Sequence, residues 1–171
     1  MQGWGSFYEM LGGAAATLLG LLFVSVSLNA EIILGATHQH ARRLAEQAFQ
    51  NYMAVLIISL LVLFPGMSVI SFGYSVLWTT GFWGLWVLYR MYQVLAGPAP
   101  KRETRLRALR RYIPSFFGFG ALMFAGYRMT RSGDYTILTA VGVLILLISA
   151  TVASWELLIK VAEEKYTARK D

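Results

Sequence analysis

Five stretches of this chain are apolar almost without interruption, and most of its charged residues fall between them or at their ends. A bilayer core is roughly 30 Å thick and a helix rises 1.5 Å per residue, so a spanning helix needs about 20 mostly apolar residues. The runs at 7–34, 68–92 and 136–161 satisfy this easily, and those at 49–64 and 113–129 are shorter. The expectation is an all-α membrane protein with five transmembrane helices in one domain over residues 1–171. Pro65-Gly66 divides the second run from the third, and a residue without a backbone donor followed by one that tolerates any turn reads as a tight hairpin tip. A polar segment from Arg128 to Asp134 separates the fourth run from the fifth. Residues 36–48 are helix-prone and extend either the first span or the second.

Orientation follows from the basic residues, which are retained on the cytoplasmic side. With five spans one face collects Arg42, Arg43, Arg90, the block between Lys101 and Arg111, and Lys160, Lys165, Arg169 and Lys170; the other has only Arg128 and Arg131. The N-terminus is therefore placed outside and the C-terminus inside. Four spans, with Pro65-Gly66 re-entrant, would scatter the basic groups over both faces. Residues 1–10 carry no Lys or Arg, unlike a cleaved signal, so the first span is expected in the mature protein.

Composition sharpens the picture. Apolar residues make up 57% of the 171 and charged residues 14%, against roughly 45–50% and about 25% in soluble domains. A net charge of +6 in a soluble protein would point to nucleic acid; segregated into loops, it points to a membrane surface instead. The sequence has no cysteine, which excludes disulfides and thiolate chemistry. His38 and His40 are two apart and share no helix face, so no metal and no cofactor is expected. Ser25 and Ser27 have no base at their depth, and no nucleotide-binding or zinc-protease motif is present. The chain is not read as an enzyme.

Three features carry candidate function. Gly12, Ala16 and Gly20 repeat at four-residue spacing, a stripe without bulk that lets another helix approach, from the same chain or a second copy. Glu31, Arg90 and Glu156, with Asn29, fall at similar depth near the cytoplasmic ends of spans one, three and five. Charges there are costly, and an arginine fork can serve two carboxylates. The readings are a structural staple, separate snorkelling side chains or a proton or cation site, and Lys160 is an alternative partner for Glu156. In residues 101–112, Leu106 and Leu109 sit among Arg105, Arg107, Arg110 and Arg111, the pattern of a short helix on anionic lipid headgroups or of a topology signal. Trp78, Phe82, Trp86 and Tyr89 form an aromatic stripe suited to lipid contact.

Residues 12–29 (GGAAATLLGLLFVSVSLN), followed by Phe64-Pro65-Gly66 and Trp155-Glu156-Leu157-Leu158, resemble a family of small bacterial integral membrane proteins of unknown function. Some members carry the label of modulators of a membrane-bound AAA protease. The resemblance implies a multi-pass protein of the bacterial inner membrane and supplies no catalytic residues. The function expected is therefore non-enzymatic, as a regulatory or accessory subunit or a homo-oligomer acting through helix–helix contacts. The alternative is a small oligomeric ion or small-molecule channel or transporter with its polar site at Glu31, Arg90 and Glu156.

Overall fold

A computed structural model describes residues 3–34, 39–96, 102–131 and 136–168, with side chains over 3–33, 41–93, 112–131 and 136–166. Every regular element among them is helical: α1 (Gly5–Leu28), α2 (Ala30–Leu34), α3 (Gln39–Leu63), α4 (Val69–Ala96), α5 (Arg102–Arg131) and α6 (Thr136–Ala168). Three of these, α1, α3 and α6, are long and apolar enough to cross a membrane. In α4 much of the bulk is Trp and Tyr, whose polar tips lower its hydropathy, and α5 opens on a strongly basic segment.

The first apolar run is not one helix. It breaks at Asn29, whose side-chain amide donates to the Ser25 carbonyl at 2.8 Å, while its own carbonyl accepts from the N–H groups of Ile32 and Ile33. A short side chain that competes for backbone partners ends α1 and starts α2. The second span begins earlier than its apolar run, because the helix-prone segment before Phe49 joins α3. The basic segment and fourth span are likewise one helix, α5, which carries Pro114 inside. There the proline ring leaves one carbonyl of the preceding turn without its intrahelical donor.

The α3–α4 connection follows the sequence expectation. Met67 N–H donates to the Phe64 carbonyl at 3.4 Å, and Gly66 between them has φ +76°. Pro at the second position and a positive-φ glycine at the third define a type II turn. Ser68 then caps α4 by accepting the Ser71 N–H at 3.1 Å.

Helices α3, α6, α5 and α4 form a ring in that spatial order, closed by a lesser contact of α4 with α3, and α1 and α2 pack on the outside of α3. Two apolar clusters fill this arrangement. One joins Tyr8, Leu11 and Ala15 of α1 to Ile58 of α3, Phe72 and Val76 of α4, Leu122 of α5 and Leu146 of α6. The other joins Leu22 and Ile33 to Leu44, Ala48 and Tyr52 of α3 and to Ala153 and Leu157 of α6. In lipid, apolar burial alone does not drive helices together, so close fit and interhelical hydrogen bonds must. Gly73 and Gly126 supply that fit between α4 and α5: a Cβ on either would lie 3.0–3.1 Å from the other's carbonyl oxygen.

Outside, the bundle is apolar. Trp78 is 84% exposed and Ile137 69%, and Phe23, Phe82 and Phe117 also project outward. Exposed apolar surface on this scale marks contact with membrane or protein.

Candidate functional site

One buried hydrogen-bonded network draws on three helices. On α3, Gln47 and Asn51 are one turn apart on the ring side, and their amides reach Ser115 of α5 and Ser149 of α6. Gln47 Nε2 donates to Ser115 Oγ at 3.3 Å, and Asn51 Nδ2 to Ser115 Oγ at 2.8 Å and Ser149 Oγ at 3.2 Å. With both its lone pairs engaged, Ser115 sends its own proton to Ser149 Oγ, 2.9 Å away. All four residues are buried. The Asn51 Oδ1 atom has no hydrogen-bond partner among the described residues. Turning the amide over would exchange the orphan without removing it, because the two hydroxyls lie on the same side. Close by, Tyr52 OH donates to Thr151 Oγ1 at 3.3 Å and accepts from Ser154 Oγ at 3.4 Å. These bonds tie α3 to α5 and α6.

A second polar group sits toward the N-terminal end of α3. Arg90 of α4 pairs with Oε2 of Glu46, whose Oε1 accepts from Arg42 Nε at 3.0 Å. The Arg90 guanidinium also lies over the Trp86 ring, 5.3 Å from its centroid. Both members of the interhelix pair are partly buried.

This pairing corrects the expected cluster. Arg90 meets Glu46 and neither Glu31 nor Glu156, because α4 lies against α5 and α3 whereas Glu31 is on α2 and Glu156 on α6. Matching depth was the basis of the expectation, but depth does not fix which way each helix faces. Glu31 is exposed, Glu156 half-buried, and Asn29 is spent on the α1–α2 break. Glu46 lies in the helix-prone segment 36–48, outside the apolar run of the second span, where a charge carries no membrane cost to single it out. Its signal was Arg42 at i−4, a helical pair that needs α3 to begin early.

The small stripe divides. Gly12 packs on α3, where a Cβ would lie 3.0 Å from Ser59 Cβ, while Gly20 has nothing within 4 Å and Ala16 is exposed. Among the described residues, Gly12 is thus a close helix contact and Gly20 is not. Arg105, Arg107, Arg110 and Arg111 lie on the first part of α5, with side chains outside the described residues. His38 is likewise outside them, as is the His40 side chain, and among the described residues no group of three His, Asp or Glu is placed to hold a metal.

Next to Glu46 a groove of about 420 Å³ runs between α1, α2, α3 and α4. Leu22, Val26, Ile33, Ala45, Phe49 and Trp83 form its apolar wall, and Arg42, Glu46 and Gln50 are its polar lining, the first two toward the start of α3.

Fold and sites together define an all-helical protein with three helices able to cross a membrane and a hydrogen-bonded interior. Comparison with known proteins gives no matching family model, no matching curated protein and no matching solved structure.

Proposed function

We propose that this is a non-enzymatic, multi-pass membrane protein of the bacterial inner membrane that acts through helix–helix contacts, as a homo-oligomer or as an accessory subunit. The observation that carries this reading is the outward face of α1, where Gly13, Ala16, Thr17 and Gly20 are all exposed and a Cβ on Gly13 or Gly20 would meet nothing within 4 Å. Their spacing of three and four residues puts them on one face, and such a face lets a second helix approach to backbone distance. Met10, Leu21 and Phe23, exposed beside it, are bulky. The channel reading relied on Glu31, Arg90 and Glu156 as its polar site, and Arg90 is committed to Glu46.

Five spans with the C-terminus inside fit this architecture. The Arg90–Glu46 pair sets the late part of α4 beside the early part of α3, so the two helices run antiparallel. The outward faces of α4 and α5 carry large exposed apolar side chains, with Tyr74, Trp78 and Phe82 on the first and Phe117 and Phe124 on the second.

A chain without cysteine makes the test direct. Single variants Gly13→Cys, Gly20→Cys and, on the buried face, Leu11→Cys are oxidised in native membranes. Cross-linked dimers at 13 and 20 but not 11 support self-association through this face, and a cross-linked heteromer supports an accessory role. Absence of any cross-link at 13 and 20 would sink the proposal.

A further inference from the structure

The groove beside Glu46 has a composition that a structural crevice does not require. One carboxylate lies between two guanidiniums, Arg42 and Arg90, leaving one positive charge and most of ten N–H donors unspent. Away from that end the wall is apolar apart from Gln50. Phe49 is seven residues further along α3 than Arg42, about 10 Å deeper, and Trp83 faces the same space from α4. Positive at one end and apolar for several carbon–carbon bonds beyond, the groove complements an amphiphile with an anionic head. Arginine is suited to that head, since its planar fork matches phosphate oxygens.

We propose that this groove binds one anionic phospholipid, its phosphate held by Arg42, with Arg90 supplying the excess positive charge from behind Glu46, outside the lining, and one acyl chain lying along Val26, Phe49 and Trp83. The charge balance argues for an anionic over a zwitterionic head, because Glu46 neutralises only one of the two arginines and would repel a second anion if it stood alone. Glu46 is thus a tuning residue that holds both guanidiniums in place while weakening the site. The proposal rests on the membrane reading but not on the α1 contact face.

The full chain purified in detergent is examined by native mass spectrometry with phosphatidylglycerol, with phosphatidylcholine of the same acyl chains, or with inorganic phosphate. One phosphatidylglycerol per chain is expected at about five-fold lower concentration than phosphatidylcholine, the effect of one basic charge at a lipid surface. Arg42→Gln, at an exposed position, abolishes the preference, and Arg90→Gln does the same. Glu46→Gln strengthens it, whereas a purely structural role for Glu46 would weaken it. Val26→Trp, which fills the apolar part, reduces retention of both lipids. Equal retention of the two lipids by the unaltered chain overturns the site. So does a preference indifferent to Arg42→Gln and Glu46→Gln, which would belong to the basic residues 101–111, and so does full displacement by inorganic phosphate, which would mean a free-anion site. A chain that stays soluble without detergent would instead refute the membrane reading.

Discussion

Gly118 on α5 and Gly142 on α6 face each other across the helix pair, each filled by a leucine of the other helix. A Cβ on Gly118 would lie 2.7 Å from Cδ2 of Leu146, and a Cβ on Gly142 would lie 2.7 Å from Cγ of Leu122 and 3.3 Å from the Gly118 carbonyl oxygen. Both leucines are fully buried and have nowhere to move. The α5–α6 contact therefore requires glycine at both positions.

Gly142→Ala is expected to destabilise the protein. Overpacking costs about 1–3 kcal/mol, and the gain in helix propensity returns at most about 1. Gly120→Ala, on the open side of α5 with nothing within 4 Å of its Cβ, receives only the gain. Thermal unfolding in detergent checks the pair: a lower midpoint for Gly142→Ala and an unchanged or higher one for Gly120→Ala. The same shift in both would contradict the close contact.

Asn51 touches both serines of the interior network, so Asn51→Ala strips two hydroxyls of a partner. Ser149→Ala leaves Asn51 bonded to Ser115. Interhelical hydrogen bonds in membranes average about 0.6 kcal/mol each, and the asparagine change adds a cavity. The loss from Asn51→Ala should exceed that from Ser149→Ala by about 1 kcal/mol or more. Equal losses in denaturant titrations would mean that Asn51 is not the centre of the network.

The Arg90–Glu46 pair is partly exposed, so its coupling should be modest, about 1 kcal/mol. A double-mutant cycle with Arg90→Ala and Glu46→Ala should show non-additivity of that size. The corresponding cycle of Arg90→Ala with Glu31→Ala should be additive, since those groups do not meet. The reverse pattern would restore the cluster expected from matching depth.

Topology gives the last prediction. A reporter active only in the cytoplasm, fused after Asp171, should be active, and one at the Pro65-Gly66 turn should not. Activity at the turn and silence at the C-terminus would exclude five spans with the N-terminus outside.

Much of the architecture lay in the order of residue types. Apolar runs of sufficient length become helices in any environment that cannot solvate the backbone, and Pro65-Gly66 gave its turn because φ at Gly66 must be positive there. The aromatic stripe of α4 pointed outward as read, since Trp78, Phe82, Trp86 and Tyr89 recur at helical spacing on one face. These are local properties, set within one or two turns. What a sequence alone could not settle was azimuth and neighbour. Glu31, Arg90 and Glu156 matched in depth, yet the spatial order of the helices gave Arg90 to Glu46. Gly12 and Gly20 looked alike on one helix, and only the position of α3 made the first a contact and left the second on the outer face. Gly118 and Gly142 carried no visible pattern, because each is explained by a leucine on the other helix. Contacts between distant parts of the chain depend on how whole helices rotate and pair, and that is decided by the sum of fits along α3, α5 and α6, which only the tertiary structure brings together.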